Sequence, residues 1–324
     1  MALGRPLRLV RIRERRPRPG LQPQHLTVVR ALAAVSGARV EGDALDSTAV
    51  TFVPQTLRGG HYRFDVEAIR GSAGSVSLIF QALLLPLSQA SAMSRLTILG
   101  GTHVPWSPTV DYLTQVFLPA LGSIGLRATV ELRRWGFYPA GGGEIEAVIE
   151  PGQAARGLTP SDHVADRRIM GLSAVSRLPR SIAERQRRRA LERLEASGLT
   201  AEIAIGEDAT ARSPGTVLFL AVPGRAGFSA LGRPGLRAEA VADQAVEPLL
   251  AYLASGAAVD THLADQLVPF LAFAAEPSEF TCPALSSHLE TVAWVIEQFL
   301  PRRVQLDIGP PARVRVTPAG DARE

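Results

Sequence analysis

Apolar positions along this chain follow two periods, and the periods take turns. Spacings of three and four residues predict helices over 24–36, 72–89, 108–124, 182–196, 238–253 and 262–273. Short alternating or continuous apolar runs predict strands over 38–41, 50–53, 62–66, 96–99, 128–132, 144–149, 171–176, 201–205, 217–222, 279–282, 304–306 and 314–316. A last helix opens at Ser286-Ser287-His288-Leu289-Glu290. Ser287 and Glu290 have the spacing of a capping box, which satisfies two of a helix's free N-terminal donors. Leu289, Val292, Ala293, Ile296, Phe299 and Leu300 then supply a buried stripe. This recurring helix–strand–strand rhythm predicts an α/β (α+β) fold of repeated units, with helices on one face of each sheet. The rhythm changes in a loop-like stretch over 151–166. The change predicts a main domain over 1–160 and 256–324, with a smaller inserted α/β domain over 161–255.

Composition narrows the class. The chain has 324 residues, 46% apolar and 20% charged, which suits a soluble two-domain protein. The longest apolar run, 76–87, is broken by Ser77, Gln81 and Pro86, so no membrane-spanning stretch is expected. Met1 is followed by a basic stretch rather than an apolar one, unlike a secretory leader. Cys282 is the sole cysteine. It excludes a disulfide framework, a disulfide-linked partner and a thiolate metal site, and points to the cytoplasm. No HExxH, CxxC or paired-Asp run marks a metal site, so the metal ligands stay unassigned.

The net charge is +4, and all 35 basic residues are arginine. A chain without lysine or asparagine reads as coding bias, so arginine abundance alone does not indicate nucleic acid. Position says more. Arg11, Arg13, Arg15, Arg16 and Arg18 crowd a segment read as a strand running into a loop. Guanidinium forks fit phosphate oxygens, although a solvated charge run fits the same residues. Arg185, Arg187, Arg188, Arg189 and Arg193 make the helix over 182–196 very basic. They suit RNA contact, or simply a solvated face.

His288 carries the candidate chemistry. The start of a helix offers free N–H groups and partial positive charge, which attract anions and disfavour an imidazolium. A neutral imidazole beside a bound phosphate can attack phosphorus. The same position also suits an ordinary polar residue near a cap.

The motifs, in order, resemble the RNA 3′-terminal phosphate cyclase family. Arg13-Glu14-Arg15-Arg16-Pro17-Arg18-Pro19-Gly20-Leu21 with Gln24-His25-Leu26-Thr27 is similar to that family's Arg-rich loop and helix. Arg58-Gly59-Gly60-His61-Tyr62-Arg63-Phe64, then Gly71-Ser72-Ala73-Gly74-Ser75 leading to Gln81, resemble its next blocks. Gly100-Gly101-Thr102 and Gly136-Phe137-Tyr138-Pro139-Ala140-Gly141-Gly142-Gly143 resemble two more, although the last glycines also suit turn geometry alone. His262-Leu263-Ala264-Asp265-Gln266 and the His288 segment complete the series; the family often has Tyr where His262 stands.

The resemblance implies ATP-dependent conversion of an RNA 3′-terminal phosphate to a 2′,3′-cyclic phosphate. It makes His288 the adenylated residue. Gln81, His262, Leu263, Ala264, Asp265 and Gln266 become nucleotide contacts. Arg13, Arg16 and His25 become contacts to RNA and its phosphate. It also implies Mg2+ or Mn2+ with the ATP. The alternatives are a non-catalytic RNA-binding relative of the ribosome-assembly kind and an inactive, shortened cyclase. Family members begin with a strand and then a Glu-Gly-Gly-Gly-Gln-x-Leu-Arg loop that opens a helix, about 25 residues in all, a strand–loop–helix length. The present chain starts beyond it, and the expectation is that Met1 is an internal codon.

Overall fold

The computed structural model describes residues 2–69, 73–152, 154–159 and 168–318. One pattern recurs in three sheets: strand, helix, strand, strand, with the last strand returning between the other two. In the first repeat, β1 (Leu7–Leu9) leads through α1 (Pro23–Ser36) to β2 (Arg39–Glu41) and β3 (Val50–Val53), in the order β1-β3-β2. The second begins with an extra strand, β4 (His61–Asp65), and α2 (Val76–Ser88). It then runs from β5 (Ser94–Gly100) through a helical rod to β6 (Ala128–Arg134) and β7 (Gly143–Ile149), in the order β4-β5-β7-β6. The rod consists of α3 (Val110–Tyr112), a wider π-turn (Leu113–Phe117) and α4 (Leu118–Ser123).

Between the second repeat and the third stands a different sheet. Here β8 (Ile169–Ser176), α5 (Arg180–Ala196) and β9 (Ala201–Asp208) form a parallel crossover. β10 (Gly215–Val222), β11 (Ala226–Leu231) and α6 (Ala238–Ser255) follow, and the strand order is β11-β10-β8-β9. The third repeat has α7 (Thr261–Leu271), β12 (Ser278–Cys282), α8 (Ser287–Phe299), β13 (Arg302–Asp307) and β14 (Ala312–Pro318), in the order β12-β14-β13.

Alternation explains the layers. In β7, Ile145, Ala147 and Ile149 face inward while the residues between them are less covered. They meet Ile79, Phe80 and Leu83 of α2, Leu113 and Phe117 of the rod, and Leu263 and Leu267 of α7 in one shared core. β10 is buried along nearly its whole length because both faces are covered. Phe219 and Ala221 join that shared core, while Leu218 and Leu220 join a second core with Ala190, Leu194, Val246 and Leu249 of α5 and α6.

Four expectations need correction or restriction. The arginine segment is not the strand: β1 ends at Leu9, and Arg11 and Arg13 adopt left-handed backbone (φ 55° each) in turns beyond it. α8 is capped by Ser286, whose Oγ accepts from Leu289 N–H at 3.0 Å, so Ser287 and Glu290 form no capping box. β11 was not predicted, because Ala-Gly-Phe-Ser-Ala-Leu has little β-branched or alternating signal. The expected start of the 72–89 helix at Ser72, part of the 151–166 loop and the domain boundary at 160–161 lie outside the described residues. Among the described residues, no helix is long and apolar enough to cross a membrane.

Candidate active site

The site is built where two helices start. α7 is capped by Asp260, which is almost fully buried. Its Oδ1 accepts from His262 N–H (2.7 Å) and Leu263 N–H (2.8 Å), and its Oδ2 from Gly227 N–H (3.1 Å) and the Tyr112 hydroxyl (3.0 Å). Desolvation raises the Asp260 pKa, and the donors from Leu263 and Gly227 oppose that shift. Burial likewise raises Tyr112, with the Asp260 charge adding to it. Asp260 thus ties α7 to both the rod and β11. The signal for it was readable: an aspartate immediately before an apolar-periodic helix is a strong N-cap candidate.

Ser286 connects α7 to α8. While capping α8, its hydroxyl donates to Asp265 Oδ2 at 3.4 Å. Asp265 is pushed up to about 6 by burial, and the charges of His262 and His288 pull it back down. The structure therefore brings His262, Asp265 and His288 into one electrostatic neighbourhood. His262 and His288 are exposed, each in the first turn of its helix. Gln266 joins them through Gln81, whose Nε2 donates to Gln266 Oε1 at 2.7 Å. Leu263 and Ala264 sit differently: both side chains lie wholly in the shared core, and both backbone N–H groups donate to Asp260. They anchor α7 rather than face solvent.

The arginine loop gathers separately. Ile12 O accepts from Gly20 N–H at 2.8 Å and closes the loop, and Arg13 O accepts from Arg16 N–H at 3.0 Å. Arg13 Nη1 is buried without a hydrogen-bond partner, and Arg16 is exposed. A buried, unpaired guanidinium N–H is costly unless an anion meets it. His25 Nδ1 accepts from Gln22 N–H at 3.3 Å. Partial burial and then the Arg13 charge lower the His25 pKa, so its Nε2 carries the proton of a neutral ring. No hydrogen bond or ion pair joins Arg13 or Arg16 to His288 among the described residues. The link runs through α2: Gln24 Oε1 accepts from Ser75 N–H at 2.9 Å at the cap, and Gln81 lies further along the same helix.

Three backbone donors at the start of α2 are used within the protein, Ser75 N–H among them, and Gly71 and Ser72 lie outside the described residues. Val76 N–H is used by Gly101 O (3.0 Å) and Leu78 N–H by Ser75 Oγ (3.4 Å). The later glycines serve close packing, as turn geometry suggested. Gly143 N lies where a Cβ on Gly136 would be, at 2.4 Å. A buried network beside them was not foreseen. Thr102 Oγ1 pairs with His103 Nδ1 (2.8 Å) and accepts from Gly136 N–H (2.8 Å), while His103 Nε2 pairs with Asp111 Oδ2 (2.8 Å). Of the five arginines named on α5, three pair with α6, while Arg188 pairs within α5 with Glu192 at 3.8 Å and Arg187 is exposed with no ion pair among the described residues. Arg185 pairs with Glu239, Arg189 with Asp243, and Arg193 with Asp243 and Glu247, all on α6.

Repeated strand–helix–strand–strand sheets, with a site at paired helix starts, define an α/β protein of repeated units. A family profile described as RNA 3′-terminal phosphate cyclase matches residues 1–306. An RNA 3′-terminal phosphate cyclase of Gloeothece citriformis is 40% identical over 311 residues, covering 94% of this chain and 89% of that one. One from Trichormus variabilis is 41% identical over 303 residues, covering 91% and 86%. One from Thermococcus onnurineus is 41% identical over 319 residues, covering 97% and 91%. The chain belongs to the RNA 3′-terminal phosphate cyclase family. A distant likeness to an EPSP synthase of Acinetobacter baumannii (12% identity, TM-score 0.27, 97% of this chain and 59% of that one) carries no argument.

Proposed function

We propose that this protein is an ATP-dependent RNA 3′-terminal phosphate cyclase whose nucleophile is His288. The observation that carries the assignment is the Ser286 bridge, which sets Asp265 beside the turn bearing His288. In this scheme the imidazole nitrogen of His288 attacks the α-phosphorus of ATP and pyrophosphate leaves. AMP then passes to the RNA 3′-phosphate, and the histidine is restored. The vicinal 2′-hydroxyl attacks the activated phosphate, loses its proton, and AMP leaves from the cyclic product. The covalent step divides one hard displacement into easier ones.

Each remaining residue has a role in that scheme. An ionised Asp265 stabilises the positive charge that develops on the adenylated imidazole. Gln81, Gln266 and the exposed His262 ring border the nucleotide, with Leu263 and Ala264 holding their helix in place. Arg13, Arg16 and the neutral His25 face the RNA phosphate, and the unpaired Arg13 Nη1 is the donor most in need of an anion. Mg2+ or Mn2+ enters with the triphosphate. Among the described residues no three His, Cys, Asp or Glu side chains gather as a metal site, so no step is assigned to a protein-bound metal. The segment 161–255 acts as an inserted unit on the main body, and the protein works in the cytoplasm.

The test uses ATP labelled at the α-phosphate. The parent protein forms an acid-labile, base-stable adduct, and His288→Ala forms none while melting at the parental temperature. His288 is exposed, so its loss should cost the fold little. An undiminished adduct in His288→Ala removes this residue from the scheme. RNA binding by a parent that never forms an adduct favours the non-catalytic alternative.

A further inference from the structure

Trp106 is 98% exposed, yet its backbone is left-handed (φ 59°). That conformation is strained for a bulky residue and free for glycine. Strain retained on an exposed aromatic is a reason to look for function. Ser107 Oγ donates to Val104 O at 3.1 Å, within the short turn that presents the indole. A second aromatic stands beside this turn: Tyr138, 64% exposed, in the Gly136–Gly143 loop. The two loops are pinned together, because Gly136 O accepts from Thr102 N–H (2.9 Å) and His103 N–H (3.0 Å) and His103 bridges to Phe137.

Arginines stand along these loops; one of them, Arg212, is paired with Glu67 at 2.9 Å. Phe137 O accepts from Ser213 Oγ at 3.3 Å, which brings the Arg212 segment alongside, and Arg177 Nη1 donates to Arg212 O at 3.4 Å. Arg233 follows β11, next to Gly232, whose N–H donates to Thr216 O at 2.9 Å. Arg177 and Arg233 are exposed and have no acidic partner among the described residues. The patch is connected to the candidate active site through one short helix. The Trp106 turn leads into α3, whose Tyr112 hydroxyl donates to the carboxylate that caps α7.

We propose that Trp106 and Tyr138 form a stacking platform for the bases of single-stranded RNA that leads to the 3′-terminal phosphate, with Arg177 and Arg233 along the RNA backbone. This rests on the RNA-cyclase reading of the neighbouring site. Exposed aromatic faces with interleaved guanidinia suit single strands, because every base offers a π-face and every nucleotide a negative charge. Such a platform tolerates any sequence.

The probe is a fluorescent oligoribonucleotide ending in a 3′-hydroxyl, which binds but cannot be cyclised. Trp106→Ala and Tyr138→Ala should each weaken its binding about tenfold, the range for loss of one stacked base, and the double variant more. Adduct formation with ATP alone should stay at the parental level. For a long 3′-phosphorylated RNA, KM should rise while kcat holds. Trp106→Phe should recover most of the binding. Trp106→Gly should melt at a higher temperature than the parent and still bind weakly, which a purely structural role for the indole would not produce. Unchanged RNA affinity in both single variants and the double variant overturns the platform, and with it points to a protein partner for the patch. If the parent cyclises RNA in that case, the enzyme reading survives. A parent that neither binds nor cyclises RNA overturns both.

Discussion

Gln81 and Gln266 lie 185 positions apart in sequence, and their side-chain amides meet at 2.7 Å. The contact joins α2 to α7 at the edge of the proposed nucleotide site. Among the described residues no other hydrogen bond uses either amide. Gln81→Ala should raise the KM for ATP and leave Gln266 without its partner. A double-mutant cycle on stability should give a coupling of about 0.5–1.5 kcal/mol, that of one neutral hydrogen bond. Additive single effects, measured by denaturant melts, would show that the two amides do not interact in solution.

Asp265 titrates upward in the folded protein, from 3.8 to about 6. The unfolded chain ionises this group first as pH rises. Between those two values the native state holds more protons, so stability falls with increasing pH. Above about pH 6 the full cost of a buried charge is present, an upper bound of about 3 kcal/mol. Asp265→Asn should therefore raise the melting temperature at pH 8 and leave it unchanged near pH 4. The same variant should adenylate poorly at either pH. Equal melting gains at both pH values would mean that Asp265 keeps an ordinary carboxylate pKa. Adenylation by the parent should fall as pH drops through about 6, once His262, His288 and Asp260 are allowed for as the neighbouring charges.

Arg13 and Arg16 should separate by burial. Arg13→Ala removes a guanidinium with a buried unpaired N–H, and a charge-assisted contact to phosphate is worth about 1.5–3 kcal/mol. Its cyclisation rate should fall by one to two orders of magnitude. Arg16 is exposed, so Arg16→Ala should fall less. Single-turnover cyclisation at fixed RNA distinguishes them, and parental rates in both variants would take the arginine loop out of the site.

Arg185, Arg189 and Arg193 of α5 should not matter for RNA. Their guanidinia are engaged with Glu239, Asp243 and Glu247. Replacing Arg185, Arg189 and Arg193 by glutamine should leave the salt dependence of RNA binding unchanged. A smaller slope of log affinity against log salt would show that these groups leave α6 to meet phosphate.

The sequence by itself determined the rhythm of elements, because apolar periodicity is local and the buried faces of α2, α7 and β7 repeat at their own spacing. It also determined which residues to watch, since the His262–Gln266 and His288 motifs stand in the linear order of their family. Tertiary structure decided what those residues meet. Gln81 reaches Gln266, and Ser286 links its own helix to Asp265, through contacts no local window contains. It moved the α8 cap by one residue, because Ser286 and Ser287 are both good caps and only the path out of β12 chooses between them. It also paired three arginines of the basic helix with α6. A charge run reads as solvated or RNA-facing until its partner appears, and the acidic face of α6 begins about 50 residues away on another element. Trp106 illustrates the same limit: its left-handed turn is pinned to the Tyr138 loop through pairings that only the folded chain brings together.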